Sequence, residues 1–499
     1  MNLNDSDNRL RRYTDTIGLF VVAAVVILEL AVLYASLGYS DFYDEGVYLQ
    51  SARMMVRGYH LYTAIFDSQP PLWLPLIYCS FRLGGLNLFA AQSLIAVTGL
   101  MTTIAAAFAT RQLAGWGAAG LAAGAVFFSP MEVWLPRVSP EIPAIALGTV
   151  AMAFAIRYVR RGSYISLCFA AILVACSILV KLLGLFTLPA LILMVGARHW
   201  ELAGISWSQK GKLLLKDALF VLGISTIIII ACMLEFGLMN VWRQAVEFHW
   251  SARSALFAGS IAHRSKFVAS VILGDGLPGM IALFAILSIY AGPEGIALIG
   301  WIFFTTAGLL SQQPLYEHHL VVLIPPIAIA GAVGWEYIPR FGERLRNRWD
   351  GTPKADLTNA LILFMDVTLI LLLFSAFGVC IATTIANPRP LYRSDVAAAQ
   401  MIRRLTTPNE TILTDAQGIA FLADRDVPPE LTDTSFLRIA AGYLTLGDVV
   451  AYSERRDVRL VLLWSGRLAS IPGMKQWLDE NFPYHRALGD DHELYMVRR

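Results

Sequence analysis

Two neighbouring carboxylates, Asp44 and Glu45, follow the first long apolar run and open the stretch DEGVYLQSARMMVRGYHLY. An ionised carboxylate at the mouth of a cavity can accept the proton of a hydroxyl group as that hydroxyl attacks. Asp is also among the best helix N-cap residues, and the positive end of the helix dipole favours an acid such as Glu45 in the first turn. The spacing leaves two interpretations of Asp44 open, a general base and a helix cap.

Glu141 and Lys181 are the next candidates for chemistry on a charged substrate. Glu141 follows RVSP and begins an apolar run, so it is either a first-turn acid at a helix dipole or a residue that orients a substrate. Lys181 separates two apolar runs that would otherwise be continuous. A lysine there either marks a tight hairpin, with its ammonium reaching the membrane surface, or stabilises an anionic leaving group.

A basic stretch, HWSARSALFAGSIAHRSK, spans residues 249–266. It contributes the cationic candidates Arg253, His263, Arg264 and Lys266. The topology predicted from the basic clusters places this stretch outside the cytoplasm, where an excess of cations is unusual. We therefore predict that it binds an anion rather than setting the topology.

A second polar stretch, PLYEHH, begins a later apolar run and carries Tyr316, Glu317, His318 and His319. A metal site is one possibility, because histidine and carboxylate are common zinc ligands. Adjacent histidines point in different directions on a helix, so we expect a polar rim rather than a joint ligand role for His318 and His319.

The composition is that of an integral membrane protein, with 57% hydrophobic and 15% charged residues and a mean hydropathy of +0.59. Soluble globular chains carry about a quarter charged residues. The first apolar run, residues 16–38, is too long for the core of a signal peptide, so we predict a true span with NRLRRY on its cytoplasmic side. The five cysteines lie inside apolar runs without CxxC spacing and are predicted to be small buried hydrophobes.

Basic clusters predict the sides of the membrane. Further apolar runs fall at about 86–110, 113–135, 141–158, 163–180, 182–198, 216–236, 268–291, 294–312, 317–338 and 357–385. The clusters at 157–162, 198–216 and 340–354 all lie in the cytoplasm if the proline-rich segment 70–85 does not cross. This arrangement predicts about eleven spans, with the N-terminus inside and the C-terminus outside.

The predicted topology collects the unusual polar residues on the extracytoplasmic face. They are Asp44, Glu45, Arg137, Glu141, Lys181, Arg253, His263, Arg264, Lys266, Glu317, His318 and His319. Ionisable residues are costly near hydrocarbon and usually mark a functional site. Their joint position favours a functional site over a set of unrelated helix ends.

Two further elements are predicted around this face. The segment after Asp44 alternates with a period near 3.6, with Tyr48, Ala52 and Met55 on one stripe and polar residues on the other, which predicts an amphipathic helix half in lipid and half in water. Residues 386–499 have a soluble composition with alternating helix-like and strand-like segments. We predict a transmembrane module over 1–385 and an extracytoplasmic α/β domain over 386–499.

These stretches resemble the GT-C superfamily of polytopic glycosyltransferases, most closely the group of protein O-mannosyltransferases and aminoarabinose–lipid A transferases. The stretch at 44–62 is similar to that group's first outer loop, where an acid follows the first span. The segment FDSQPPLW is similar to its Pro-Pro-Leu helix, with Gln69 where many members have a basic residue. Glu141 stands where members often carry Asp, and residues 178–192 and 314–332 resemble its lysine hairpin and late span.

The resemblance implies transfer of a sugar from a polyprenyl-phosphate carrier to a hydroxyl of a glycan, lipid or protein acceptor at the outer face of the plasma (inner) membrane. It implies Asp44 as general base, Glu141 as a second catalytic residue, and Lys181 with one basic-loop cation at the phosphate; a single displacement would invert the anomeric carbon. Glu45, Arg137, Tyr316, His318 and His319 are expected to contact the substrates. No cofactor is certain; Asp44 and Glu141 could bridge a divalent cation, which is the less favoured alternative. Membrane lipids, not nucleic acid, are the other expected partners.

A carrier or flippase for lipid-linked glycans, without transferase activity, is the main alternative function. Carriers place ionisable residues near the middle of the bilayer, often within inverted repeats. The sequence shows no repeat, and Asp366 and Glu235 are the main charges noted within the predicted spans. The transferase interpretation is therefore favoured.

Overall fold

The structure is a computed structural model, and it describes residues 3–38, 43–129, 137–200, 202–256, 260–274, 277–338, 378, 393–489 and 491–497. Its first half is a bundle of helices: α1 Leu3–Ser36, α2 Tyr43–Val56, α3 Trp73–Gly84, α4 Leu88–Phe127, α5 Glu141–Arg161, α6 Tyr164–Val180 and α7 Thr187–Trp200. It continues with α8 Trp207–Glu235, α9 Leu238–Val241, α10 Phe248–Leu256, α11 Ile261–Gly274, α12 Leu277–Ala285, α13 Pro293–Ser311 and α14 Ile324–Glu336. Short 3₁₀ segments at Leu182–Phe186 and Glu317–Leu323 precede α7 and α14.

Seven described helices are long and apolar enough to cross a membrane. They are Asp15–Ala35, Leu88–Phe127, Glu141–Arg161, Leu182–Trp200, Trp207–Glu235, Pro293–Ser311 and Glu317–Glu336. Tyr164–Val180 and Ile281–Ala291 are shorter apolar helices. The structure therefore confirms a polytopic helical membrane protein but not the count of eleven spans, since the basic cluster at 340–354 and all of the predicted last span at 357–385 except residue 378 lie outside the residues described.

The predicted spans at 86–110 and 113–135 form the single element α4, which is broken at Gly115. This glycine has a φ of 89°, a left-handed conformation that side chains with a Cβ rarely adopt. The segment after the break begins with the Trp116 N–H, which donates to Asp15 Oδ1 at 2.8 Å. The carboxylate of Asp15 thus caps the restarted helix and ties it to α1.

The segment at 70–85 forms the short helix α3, of 12 residues, well below the roughly 20 residues that a helical span needs. Its side chains Trp73, Leu74, Ile77 and Phe81 are buried. The prediction that this proline-rich segment does not cross the membrane agrees with this length.

The C-terminal domain is a small α/β unit, as predicted. Its helices are α15 Arg393–Leu405, α16 Gln417–Leu422, α17 Phe436–Ala440, α18 Leu446–Arg455 and α19 Met474–Asn481. Its strands are β1 Ile412–Thr414, β2 Leu460–Leu463, β3 Tyr484–Gly489 and β4 His492–Met496, in the order β1-β2-β4-β3. Strands β1 and β2 are parallel, and the other pairs are antiparallel. The predicted boundary at 385/386 falls among residues that the structure does not describe.

Helix α2 is buried on all sides, which corrects the prediction that it lies half in lipid and half in water. Residues 45–54 are all buried, and the polar stripe faces the C-terminal domain. Arg53 forms ion pairs with Asp424 at 2.7 Å and Asp426 at 2.6 Å, and Gln50 Nε2 donates to the Arg425 carbonyl at 3.0 Å. The period of 3.6 residues in the sequence correctly predicted a polar face on α2, but the C-terminal domain covers that face instead of water.

Candidate active site

Glu141 and Lys181 form a buried ion pair at the ends of α5 and α6. Glu141 is the first residue of α5, and Lys181 follows the last residue of α6, where the chain turns into the 3₁₀ segment Leu182–Phe186. The Ser177 hydroxyl donates to the Ala144 carbonyl at 2.7 Å, which fixes α6 against α5. The ammonium of Lys181 donates to Glu141 Oε1, and the two side chains are only 12% and 4% exposed. The predicted hairpin is present, and its lysine points at an acid.

His318 and His319 both lie beside the same carboxylate. Their Nε2 atoms are 3.6 and 4.0 Å from Glu141 Oε1. The structure differs here from the expected polar rim, because the side chains are 18% and 12% exposed. Both residues belong to the 3₁₀ segment Glu317–Leu323, and the ring centroids are 4.5 Å apart at an angle of 77°. Divergent directions therefore still bring both rings to one acid.

Among the described residues, Glu141, His318 and His319 could hold a metal, since their ligand atoms all lie within 4.8 Å of one another. One carboxylate oxygen and two imidazole nitrogens suit zinc chemically. The same Glu141 oxygen already accepts from the Lys181 ammonium, and a divalent cation there would be repelled by that charge. The residues fit a metal only if Lys181 leaves, so we derive no step through a metal ion.

Asp44 lies inside helix α2, which the structure describes from Tyr43, and not at its N-cap. Among the described residues its carboxylate accepts no hydrogen bond and forms no ion pair within 4 Å. The pKa of Asp44 is raised to about 6, mainly by burial and also by the negative charge of Glu141, while the positive charges of Lys181 and Arg467 act in the opposite direction. Asp44, Glu141 and Lys181 are thus close enough to interact, and the helix-cap interpretation loses its support.

Glu45, the next residue of α2, is buried inside the protein. It is 1% exposed, and its Oε1 accepts from the Val138 N–H at 2.9 Å and from Gln92 Nε2 at 3.2 Å. Glu45 therefore joins helix α2 to the residues that precede α5. Arg137 is partly buried, and its charge acts on His318.

The basic stretch at 249–266 contributes less than predicted. His263 and Lys266 are exposed, while Arg264 is buried and its Nε donates to the Leu310 carbonyl at 3.0 Å. Arg253 belongs to α10, but its side chain lies outside what the structure describes. His249, at the start of the same stretch, is held by the Ser68 carbonyl at 2.8 Å, and burial lowers its pKa.

The C-terminal domain supplies polar residues that the sequence did not reveal. Asp433 is buried and its charge acts on Asp44, as does that of Arg467. The Tyr43 hydroxyl, next to Asp44, accepts from the Thr434 N–H at 2.9 Å. These residues lie about 390 positions away from α2, and no local motif marks them, so only the docking of the domain brings them to the site.

Tyr316 completes the described surroundings of Asp44. Its ring is 46% exposed and stacks on His318, with centroids 5.5 Å apart at an angle of 11°. Burial raises the pKa of Tyr316, and the negative charge of Asp44 adds to that effect. The site thus has an exposed aromatic residue stacked on one of its histidines.

Known proteins share this architecture. Residues 55–240 match the family model described as dolichyl-phosphate-mannose-protein mannosyltransferase, and no curated protein sequence matches the chain significantly. The structure of ArnT from Cupriavidus metallidurans bound to undecaprenyl phosphate is similar, with a TM-score of 0.64 and 18% identity over 95% of this chain and 97% of that one. The oligosaccharyltransferase AglB from Archaeoglobus fulgidus, in complex with an inhibitory peptide and a dolichol-phosphate, gives 0.53 and 11% over 96% and 74%. At these identities the likeness concerns the fold alone: the chain shares the fold of these membrane proteins, in agreement with the resemblance predicted from its sequence.

Proposed function

We propose that this protein transfers a sugar from a polyprenyl-phosphate carrier to a hydroxyl group of an acceptor. One observation carries the proposal: Asp44 is an acid without a described hydrogen-bond partner, and it lies beside the buried Glu141–Lys181 pair where the membrane module meets the C-terminal domain. A purely structural acid in this position would be expected to find a hydrogen-bond donor. The GT-C fold, and the undecaprenyl phosphate bound to the similar ArnT, support a lipid-phosphate donor.

Asp44 is the proposed general base. As the acceptor oxygen forms a bond to the anomeric carbon, its proton passes to the Asp44 carboxylate. The bond between the anomeric carbon and the phosphate oxygen breaks, and its electron pair leaves with the lipid phosphate. A pKa of about 6 keeps Asp44 mostly ionised at neutral pH while making it a stronger base than an ordinary aspartate. A single displacement of this kind inverts the anomeric configuration.

Lys181 is the proposed partner of the leaving phosphate. A lipid phosphate is already a stable anion, so it needs a fixed positive charge more than a proton donor. Glu141 holds the Lys181 ammonium in the site, and this restrains a flexible side chain before the donor arrives. The charges of Arg137 and Lys181 both act on His318, so Arg137 and His318 would extend the surface that faces the phosphate. We accordingly assign Glu141 to positioning Lys181 instead of orienting the acceptor.

The proposed orientation places this site on the extracytoplasmic side of the plasma membrane. The arginines Arg160 and Arg161 end α5 at the end opposite to Glu141, and basic residues favour the cytoplasm. The ion pair at the start of α5 would therefore face outward, together with the docked C-terminal domain. An acceptor arriving from the aqueous side would then meet a donor that stays in the bilayer.

Purification of the full-length protein, followed by mass spectrometry of the lipid that co-purifies, tests the donor class. We expect a polyprenyl phosphate or its sugar conjugate, enriched in wild type over Lys181→Ala. A matched control is Lys216→Ala, because Lys216 lies at the other end of the bundle over the Tyr164 ring. Equal recovery of phosphate lipid from wild type and Lys181→Ala would refute the assignment of Lys181, and recovery of none would refute the proposed donor.

A carrier without transferase activity remains the second candidate, because of one buried acid that the sequence analysis overlooked. Glu29 is 0% exposed within the first span, and its carboxyl oxygens have no hydrogen-bond partner among the described residues. Ionisable residues inside spans mark transport pathways in many carriers. Reconstituted protein distinguishes the two functions: a carrier moves a fluorescent polyprenyl phosphate across vesicles without forming a glycosylated product, whereas a transferase forms the product.

A further inference from the structure

Arg467 is held at the candidate site by a rigid loop of the C-terminal domain. The loop follows β2 and wraps around the buried carboxylate of Asp415, which accepts from the backbone N–H groups of Trp464 at 2.8 Å and Leu468 at 3.1 Å. Gly466 has a φ of 76° and allows the tight turn just before the arginine. The position of Arg467 is therefore set by buried hydrogen bonds and not by a flexible surface loop.

The guanidinium of Arg467 is stacked against aromatic rings from both domains. Its Cζ is 3.6 Å from the ring centroid of Tyr43 and 5.1 Å from that of Phe436. Tyr43 is fixed in turn by hydrogen bonds between its hydroxyl and Thr434. Stacking holds the guanidinium plane through its faces and leaves its N–H edge available, which is the arrangement that binds phosphate or carboxylate with two parallel hydrogen bonds.

Arg467 has no acidic partner within 4 Å among the described residues, in contrast to the neighbouring cation. Lys181 is paired with Glu141, while Arg53 and Arg456 of the domain interface are paired with acids. A partly buried arginine without a carboxylate keeps its charge available for a ligand. Its charge also acts on Asp44 and on Tyr316, so that ligand would lie beside the proposed base.

We propose that Arg467 binds an anionic group, a phosphate or a carboxylate, on the acceptor and so holds the attacking hydroxyl against Asp44. This inference rests on the proposed transferase function. The acceptor is favoured over the donor because Arg467 belongs to the aqueous domain, whereas the donor phosphate has Lys181 at the end of the membrane helices. The acceptor class would then be a hydroxyl compound that carries a negative charge near its reacting group.

Binding of three simple sugars to the full-length protein in lipid nanodiscs tests this proposal. Glucose 6-phosphate carries a phosphate, glucuronate carries a carboxylate, and glucose carries neither, so the three distinguish the sources of the charge. Dissociation constants would come from saturation-transfer NMR at several concentrations. We expect one of the anionic sugars to bind more tightly than glucose, and Arg467→Gln to weaken that sugar about tenfold, as a charged hydrogen bond does, while leaving glucose unchanged.

Two variants make the comparison specific. Arg467→Lys keeps the charge without the planar fork and should retain part of the preference, and Arg486→Gln, on the exposed strand β3, should change nothing. Loss of glucose binding together with the anionic sugar in Arg467→Gln would overturn the proposal, as would equal binding of all three sugars by wild type. Binding of undecaprenyl phosphate is measured alongside: if Arg467→Gln weakens it and spares the sugars, the arginine serves the donor and the proposal is wrong. If wild type does not bind undecaprenyl phosphate, the proposed lipid-phosphate donor is wrong. The comparison of the three sugars still tests whether Arg467 binds an anionic group.

Discussion

Replacement of Asp44 by asparagine should greatly reduce activity. It should also stabilise the protein at a pH where the native carboxylate is charged. The pKa of Asp44 rises from an ordinary value of 3.8 to about 6, and a displacement of this size corresponds to at most about 3 kcal/mol of folding free energy. Asparagine carries no charge to desolvate and has nearly the same shape. The gain in folding free energy of Asp44→Asn should therefore equal the cost of burying the charged carboxylate in the wild type.

The direction of the pH dependence follows from which state holds the proton more tightly. The folded protein binds a proton at Asp44 more strongly than the unfolded chain does, so the wild type loses stability as the pH rises from about 4 to about 6. Above pH 6 the penalty is complete and constant. The stability difference between Asp44→Asn and wild type should thus be largest at pH 7 to 8 and largely absent near pH 4.

Thermal unfolding at pH 4.5 and pH 8, followed by intrinsic fluorescence in one detergent, measures this difference. At pH 8 the Asp44→Asn melting temperature should exceed that of wild type by a few degrees, while sugar transfer falls by about 10² to 10⁴. Transfer by wild type should rise with pH to half its maximum near pH 6. Glu45→Gln is the matched control, since Glu45 is buried and accepts two hydrogen bonds, and it should gain no stability. A loss of stability in Asp44→Asn at both pH values would restore a structural role for Asp44 and refute the reasoning.

Three further predictions concern the surroundings of Asp44. Lys181→Ala should destabilise the protein by about 3–5 kcal/mol because it leaves Glu141 buried without its partner. Lys181→Met combined with Glu141→Gln should restore the melting temperature without restoring binding of undecaprenyl phosphate. Recovery of that binding would exclude Lys181 from the phosphate site. Gly46→Ala should loosen the C-terminal domain, because the added Cβ would lie 2.3 Å from the backbone nitrogen of Gly418. Limited proteolysis should then release the domain. Gly223→Ala is the control: nothing lies within 4 Å of its Cβ, and it should behave as wild type. Chelation with EDTA should leave transfer unchanged because Lys181 already occupies the Glu141 oxygen, and loss of activity that zinc restores would instead identify a metal centre.

The sequence predicted which loops come together at the candidate site because the cost of charges near hydrocarbon is a local property. Asp44, Glu141 and Lys181 were each ambiguous, but the alternation of spans and basic clusters placed them at one membrane surface. The structure brings all three within electrostatic reach of one another. Topology, which requires only hydrophobic runs and the positions of basic clusters, was sufficient for that result.

The sequence could not predict what covers each polar side chain. The stripe of Gln50 and Arg53 was assigned to water, but the ion pairs with Asp424 and Asp426 show that it faces the C-terminal domain. Periodicity records that a face is polar and carries no information about whether its partner is solvent or protein. For the same reason the sequence did not reveal Arg467, whose place at the site depends on its contact with Tyr43, more than 400 positions away.

The docking of the C-terminal domain contributes to the raised pKa of Asp44. Burial is the largest cause of the raised pKa of Asp44. The C-terminal domain contributes to the burial of α2, because its helix α16 packs against Gly46 so closely that no side chain fits between them. If the domain is loosened, as in Gly46→Ala, water should reach the carboxylate and its pKa should fall toward the ordinary value near 4. The pH profile of residual transfer in Gly46→Ala should then shift to lower pH together with a lower maximum rate. A reduced rate with an unshifted profile would mean that the domain holds substrate but does not set the chemistry of the base.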